Sequence, residues 1–167
     1  MKKIMVCAIG LILLISSPAW SQIHSDKILN TMSSLSDQYN VAFQYKNTPI
    51  TVVFVPDNDE PFVKVYDKFK GRKQQDPNMI FVGSFSGLFG GGGDASGMKS
   101  HLQQGITSTY GRDSYRILLD VENKVQKLIG INSRAILKLT KGKPAEVTEF
   151  KENRKEFLDA VSTYFEK

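Results

Sequence analysis

Cysteine is nearly absent from this sequence of 167 residues. The single cysteine, Cys7, lies early in an apolar run near the amino terminus, so it is not placed after that run as a lipoprotein acceptor would be. We expect Cys7 to be removed with the leader segment described below, which leaves a mature chain without a thiol. Because a thiolate is the nucleophile of both disulfide exchange and thiol peroxidase chemistry, the sequence excludes these two activities for the mature chain.

Histidine is also scarce, and recognised catalytic motifs are missing. His24 and His101 are far apart and have no Cys or Glu-x-x-His neighbour, so the sequence does not support a zinc site. There is no Gly-x-Ser-x-Gly elbow, which speaks against a Ser-His-Asp hydrolase. We therefore predict no metal, no cofactor and no catalytic residues of a standard type.

Concentrated charge is missing as well. The chain has 22 Lys and Arg against 17 Asp and Glu, a net charge of +5, and no run of five like charges. Removal of Lys2 and Lys3 with the leader leaves 20 against 17, or about +3. Dispersed basic residues are not typical of nucleic-acid binding, so no nucleic-acid partner is predicted.

The amino terminus has the pattern of a secretory signal peptide over residues 1–21. Lys2 and Lys3 precede the apolar residues 4–15, and small residues follow. We expect cleavage between Ser21 and Gln22, or alternatively after Ala19, so that the mature chain begins at Gln22 or Trp20. An uncleaved anchor is the alternative, but about a dozen apolar residues are fewer than the roughly 20 that span a bilayer. The predicted location is the periplasm.

The rest of the chain alternates helical and strand patterns. Ile28, Met32, Leu35 and Tyr39 follow one another at steps of 4, 3 and 4, which is typical of an amphipathic helix. The unbroken β-branched and aromatic run at 50–55 is typical of a central strand covered on both faces. In order, the predicted elements are a helix at 25–39, strands at 41–45 and 50–55, a helix at 62–70, a strand at 79–85, a helix starting near Met98, a strand at 115–119, a helix at 121–129, strands at 135–140 and 145–149, and a final helix at 150–165.

The order of elements from Tyr115 onward resembles the carboxyl-terminal half of a thioredoxin-like domain. A strand ends in Asp120, and a short helix, a Gly-Ile pair, a strand, a Lys-Gly-Lys turn, another strand and a helix follow. The likeness is greatest to the redoxin and TlpA group. It implies an α/β sandwich over residues 50–167, with a mixed sheet of about five strands flanked by helices. Residues 22–49 would add a helix and a short strand at the amino terminus.

Two features of that family are replaced here. In its thiol-redox members a pair of cysteines follows the first central strand, whereas this chain has the degenerate redox turn formed by Asp57, Asn58, Asp59 and Glu60. The family also places a cis proline before the strand at 135–140, where this chain has Arg134, and no proline lies between Pro77 and Pro144. Arg134 either presents a cation at the former substrate groove or is an ordinary surface residue.

The acidic turn at 57–60 has two interpretations. Its carboxylates could provide oxygen ligands to calcium, but the spacing lacks the Gly and the distant Glu of the calcium loop. The favoured interpretation is that they cap the following helix and stabilise its positive end.

The most unusual stretch is a glycine run bordered by large apolar side chains. The apolar residues are Phe85, Leu88 and Phe89, and the glycines are Gly90, Gly91, Gly92 and Gly93. The sequence GGDASGMKS at 92–100 approaches a phosphate-binding loop, but Met98 separates the Gly from the Lys, so nucleotide binding is not predicted. The backbone N–H groups of the glycine run either hold some anion or belong to a loop that is only flexible. The apolar residues either form an exposed docking patch, or Phe85 and Leu88 fold back onto the core.

Three functional hypotheses follow. Cysteine-free relatives of the resembled family occur as accessory parts of secretion and conjugative transfer systems, so the resemblance implies a non-enzymatic binding or assembly module with an envelope protein as its partner. The second hypothesis is an enzyme with non-thiol chemistry at Asp57, Asp59, Glu60 or Arg134. The third is an envelope protein that contacts membrane through Phe85, Leu88 and Phe89. No feature of the sequence indicates an oligomeric state.

Overall fold

The computed structural model describes residues 23–38, 49–56, 62–84, 117–120 and 123–166. Within these residues lie four helices and five strands. In chain order they are α1 (Ser25–Gln38), β1 (Ile50–Val55), α2 (Phe62–Asp67), β2 (Met79–Ser84), β3 (Ile117–Asp120), α3 (Lys124–Ile129), β4 (Arg134–Leu139), β5 (Glu146–Phe150) and α4 (Arg154–Ser162).

The five strands form one mixed sheet in the order β3-β2-β1-β4-β5. β1, β2 and β3 are parallel, β4 is antiparallel to β1, and β5 is antiparallel to β4. All six residues of β1 are buried, which confirms that this strand is central and covered on both faces. The sheet and the helices on its two faces have the architecture of a thioredoxin-like α/β sandwich, as the sequence predicts.

One face of the sheet carries what we call the α1-side core. Ile28, Met32 and Leu35 of α1 are at most 1% exposed and pack in one cluster with Val125 and Ile129 of α3. The helical spacing of these α1 residues is thus confirmed. The sheet contributes these residues to the α1-side core: Ile50, Val52, Phe54, Ile80, Val82, Leu118, Ala135, Leu137 and Leu139.

The opposite face carries the α2-side core, which is rich in aromatic rings. Phe81 is 1% exposed, and its ring lies 5.2 Å from that of Tyr66 at an interplanar angle of 87°. Phe62 packs over β2 at Gly83, where a Cβ atom would come within 2.5 Å of the Phe62 ring, so only glycine leaves room for this contact. Phe157 and Val161 of α4, both fully buried, complete the cluster.

The start of α1 is tied to the turn between β4 and β5. His24 forms an antiparallel bridge with Pro144, since the Ser25 N–H donates to the Lys143 carbonyl at 3.0 Å and the Ala145 N–H donates to the Ile23 carbonyl at 2.8 Å. The Thr140 N–H donates to Ser25 Oγ at 3.1 Å. The residues before α1 therefore run alongside the lead-in to β5.

The predicted final helix begins too early in the sequence analysis. Phe150 is the last residue of β5 and pairs with Arg134, whereas the helix begins at Arg154. The Asn153 side chain caps it by accepting the Glu156 N–H at 3.0 Å. The spacing of Phe150 continues the apolar stripe of α4, and its ring does pack against that of Phe157, with centroids 5.5 Å apart. Phe150 makes this contact from β5 and not from the helix.

The other predicted bounds differ little or cannot be compared. β2 and β5 match their predictions within one residue, β4 begins and ends one residue earlier, and α2 ends at Asp67 rather than Lys70. β3 and α3 begin after their predicted starts, at Ile117 and Lys124. The predicted strand at 41–45 and the predicted helix after Gly97 lie outside the described residues.

Candidate functional site at the carboxyl edge

The carboxyl ends of the three parallel strands meet at one edge of the sheet, which we call the carboxyl edge. β1, β2 and β3 end there at Val55, Ser84 and Asp120. β4 is antiparallel and pairs Ala135 with Phe54, so Arg134 lies at the same edge. Ligands of open α/β sheets bind outside the carboxyl ends of the strands, which makes this edge the candidate site.

Asp120 is the buried acid of the carboxyl edge. It is fully buried, and its Oδ2 accepts the Gln126 N–H of α3 at 2.9 Å. Burial raises the pKa of this carboxyl above its ordinary value of 3.8, although hydrogen bonds from the backbone of Gln126, Val125 and Lys124 and the Lys124 charge oppose the shift. Asp120 therefore fixes α3 against the end of β3 and is not presented to solvent.

A polar network joins the ends of β2 and α3. Ser84 stands opposite Asp120 in the strand pairing, and its hydroxyl lies within hydrogen-bonding distance of Asn123 Oδ1 and 2.6 Å from Gln126 Oε1. The Gln126 side chain also donates to Asn132 Oδ1 at 3.1 Å. Because a hydroxyl carries one proton, Ser84 can donate to only one of the two amide oxygens at a time.

The local backbone explains why the network forms here. Asn123 precedes α3 with φ 53° and ψ 33°, a left-handed conformation that asparagine tolerates better than most residues. Its side chain makes no capping hydrogen bond to α3, so it reaches Ser84 instead. Asp120 meanwhile accepts from the first turn of the helix. Asn123 thus occupies the N-cap position without capping α3, and the Asp120 carboxylate accepts a helix N–H in its place.

Arg134 lies on the other face of the carboxyl edge. Its side chain is on the α2 side, where the guanidinium carbon is 5.9 Å from the centre of the Phe157 ring. The residue is only 5% exposed, so its interpretation as an ordinary surface residue is wrong. Contact with an aromatic face stabilises a buried guanidinium.

Two sets of sequence-predicted site residues follow the ends of β1 and β2 directly in the chain but lie outside the described residues. The first is Asp57, Asn58, Asp59 and Glu60, and the second is Phe85, Leu88, Phe89, Gly90, Gly91, Gly92 and Gly93. The described residues that precede the two sets, Pro56 and Ser84, lie at the carboxyl ends of β1 and β2.

Sequence reasoning missed most of the network. Asp120 has a visible signal, because a carboxylate directly after the apolar residues Ile117, Leu118 and Leu119 suggests a strand end with a polar task. Ser84 and Gln126 have no such signal, since each becomes notable only once β2 and α3 are placed together. These two contacting residues are 42 positions apart in sequence, so no local pattern links them.

The described residues contain neither a cluster of metal ligands nor a membrane-spanning helix. Residues 23–38, 49–56, 62–84, 117–120 and 123–166 contain no group of three or more His, Cys, Asp or Glu side chains placed to hold a metal ion. None of the helices within these ranges has the length and apolar character needed to cross a bilayer.

The described elements define an α/β protein of thioredoxin-like architecture with a polar carboxyl edge. No protein-family model matches the chain, and no curated protein matches its sequence. Among solved structures the chain is similar to MTB DsbF, solved in its mixed oxidized and reduced forms. The identity is 17%, the match covers 70% of this chain and 81% of that chain, and the TM-score is 0.33. The fold class therefore rests on the strand order of the chain itself.

Proposed function

We propose that this chain is a non-redox, thioredoxin-like binding or assembly module of the cell envelope, exported to the periplasm, where it docks a protein partner at the carboxyl edge. An accessory role in a secretion or conjugative transfer system fits this description. The observation that carries the proposal is the chemistry of the edge, because its described side chains are a hydroxyl, amides, a buried carboxyl and a buried guanidinium.

The contacts of these groups favour binding over catalysis. The Asp120 carboxylate is buried against the N–H groups of α3, and the Ser84 hydroxyl is bonded to amide oxygens rather than to a base. A nucleophile needs an adjacent base to be activated, and these contacts supply none to Ser84. The groups hold α3 and the strand ends in place, which is how a rigid docking surface is supported.

The first prediction concerns thiol chemistry. We expect the mature protein neither to reduce insulin disulfides nor to consume peroxide in the presence of a thiol reductant, because it has no thiolate. The measurement is insulin turbidity and peroxide loss against a buffer control. The double variant Asp57→Cys/Glu60→Cys serves as the matched comparison and should give at most weak exchange. Turnover by the unaltered protein clearly above buffer would overturn the non-redox assignment.

The second prediction locates the docking surface by placing a photo-crosslinking residue either at position 132 or at position 141. Asn132 is exposed at the carboxyl edge, whereas Lys141 is exposed in the β4–β5 turn at the opposite end of the sheet. In the native envelope we expect a discrete protein adduct from position 132 and none from position 141. Leu88→Ser/Phe89→Ser should abolish the adduct and leave the melting temperature nearly unchanged, as for exposed interface anchors.

Other results of this experiment contradict the proposal in different ways. If Leu88 and Phe89 are core residues, the double variant should lose about 2–5 kcal/mol of stability for each truncated side chain. Equal adducts from positions 132 and 141 would show no preference for the carboxyl edge. Flotation of the protein with lipid vesicles, lost in the double variant, would favour membrane contact instead.

A further inference from the structure

The net positive charge of the described residues lies at the edge of the sheet opposite the carboxyl edge. β1 and β2 begin at this edge with Ile50 and Met79, and β4 ends there at Leu139, so we call it the amino edge. The segments at the amino edge are residues 24–27, 68–78, 140–145 and 163–166. They contain seven Lys and Arg against three Asp and Glu, whereas the other described residues contain eight of each. Charges that are dispersed along the sequence are thus brought together by the fold.

Hydrogen bonds hold these segments at the amino edge. The Glu166 N–H donates to the Lys73 carbonyl at 2.9 Å, which joins the segment after α4 to the one after α2. The hydroxyl of Thr51, the second residue of β1, donates to Asp76 Oδ2 at 2.8 Å. The start of α1 is joined to the turn between β4 and β5 through Ser25. The position of the basic residues is therefore fixed by the fold.

Two exposed turns of the same kind carry most of this charge. Lys70-Gly71-Arg72-Lys73 follows α2, and Lys141-Gly142-Lys143 connects β4 to β5. The two glycines have φ 77° and 75°, a left-handed conformation that reverses the chain tightly, and a Cβ atom at either would have no heavy atom within 4 Å. Both turns, which we call the basic turns, therefore project from the surface with a cationic side chain on each side of the glycine.

The acidic side chains at the amino edge do not cover the basic turns. Asp26 Oδ2 accepts the Gly142 N–H at 3.0 Å, and Asp76 Oδ1 accepts a backbone N–H two residues further on at 2.9 Å, so both carboxylates are engaged by the fold. Glu166 pairs with Lys73 at 2.6 Å, but both side chains are exposed. An exposed ion pair of this kind is weak, so Lys73 can still turn to another anion.

We propose that the two basic turns bind the anionic head groups of a membrane surface, with the strands of the sheet pointing away from the bilayer. One turn continues from α2 and the other is bonded to the start of α1, and these helices pack on opposite faces of the sheet. A flat anionic surface meets both turns at once, whereas a small anion meets only one. Each Lys or Arg close to an anionic bilayer strengthens binding by about fivefold. The attachment is peripheral and reversible.

This contact goes beyond docking at the carboxyl edge and gives the docked protein an orientation. The two edges lie at opposite ends of the strands, so a membrane at the amino edge leaves Asn132 and the carboxyl edge facing the aqueous space. Access to a membrane in the periplasm rests on the proposed export. The contact itself involves only the basic turns and needs no protein partner.

The test is co-sedimentation of the exported protein, purified without its leader, with lipid vesicles. We expect binding to vesicles that contain phosphatidylglycerol and none to vesicles of phosphatidylcholine alone. Binding should weaken as the salt concentration rises from roughly 0.1 M to 1 M, because the Debye length falls from about 10 Å to about 3 Å. Lys141→Gln/Lys143→Gln and Arg72→Gln/Lys73→Gln each remove two charges and should each lower the affinity by about 25-fold.

Two further variants separate the position of the charge from net charge and from folding. Lys151→Gln/Lys155→Gln removes two exposed charges where β5 ends and α4 begins, near the carboxyl edge, and should leave the affinity for vesicles nearly unchanged. Lys141→Arg/Lys143→Arg keeps the charge of its turn and should bind as the parent does. All four variants change exposed side chains, so their melting temperatures should match that of the parent.

Several outcomes would overturn the proposal. Equal binding to the two kinds of vesicle, or binding to neither, would do so, as would a loss in Lys151→Gln/Lys155→Gln as large as that in the turn variants. Competition by soluble glycerol phosphate would indicate a discrete phosphate site instead. Tighter binding to a single-stranded oligonucleotide than to vesicles, lost in the turn variants, would indicate a nucleic-acid partner.

The same variants keep this proposal separate from docking at the carboxyl edge. Vesicle binding should persist in Leu88→Ser/Phe89→Ser, and its loss there would assign membrane contact to that segment and overturn the role of the basic turns. The vesicle experiment uses purified protein, whereas the adduct from position 132 is read in the native envelope. Failure of one proposal therefore does not imply failure of the other.

Discussion

Phe81→Ala should lower the free energy of unfolding by about 3–5 kcal/mol, which is the scale for truncating a large aromatic residue in a core. Phe81 is the hub of the α2-side core, since its ring centroid lies 5.2 Å from that of Tyr66 and within 6.5 Å of those of three further phenylalanines. These are Phe69 at 6.2 Å, Phe62 at 6.4 Å and Phe165 at 6.5 Å. The substitution leaves a cavity in the middle of β2 and removes these ring contacts together. Urea unfolding followed by circular dichroism measures the loss as a lower midpoint.

The control for this experiment is Phe81→Leu. Leucine keeps most of the apolar volume but cannot make the edge-to-face contact with Tyr66, so its loss should be clearly smaller than that of alanine. A loss below about 1.5 kcal/mol for Phe81→Ala would contradict the central packing of this ring. Equal losses for the two variants would instead assign the effect to the ring contacts and not to the cavity.

Asp120→Asn should remove a pH dependence of stability that the unaltered protein shows in mildly acidic solution. Burial raises the pKa of the Asp120 carboxyl in the folded state, so the folded state binds this proton more tightly than the unfolded state does. The contribution of Asp120 is therefore fully present below its ordinary pKa of 3.8 and is lost as the pH rises through the higher folded value. Within that window, the slope is at most about 1.4 kcal/mol per pH unit.

The measurement is the difference in unfolding free energy between Asp120→Asn and the unaltered protein across the acidic range. This difference should shift in favour of the variant as the pH rises, because the variant has no buried carboxylate to ionise. A difference for Asp120→Asn that stays constant with pH would contradict the buried carboxyl.

The strand pattern of this protein can be predicted from its sequence because burial on two faces leaves a clear trace. β1 matches residues 50–55 without error, since every position is apolar or Thr and every side chain is buried. The start of α4 is different. Phe150 continues the apolar stripe of the helix although it belongs to β5, and only the pair Asn153 and Glu156, a recognisable capping signal, marks the true start.

The candidate site was less predictable for a physical reason. Positions next to strand ends could be named from the sequence, and Arg134, the first residue of β4, was among them. The network around Ser84 forms because strand pairing sets Ser84 opposite Asp120, and because α3 brings the Gln126 side chain next to the Ser84 hydroxyl. Such contacts depend on the register between segments that are far apart in sequence, and local periodicity carries no information about that register.

The sheet separates two cores that do not share side chains. Val52 and Val53 are neighbours in sequence, yet Val52 packs with the α1-side core and Val53 with the α2-side core. Substitutions on opposite faces lack common contacts, so their effects on stability should be close to additive, whereas neighbours within one aromatic cluster should be coupled. Over evolutionary time the two layers can accordingly accumulate changes separately. Homologues of this chain can therefore diverge in the packing around Met32 and still keep the rings around Phe81.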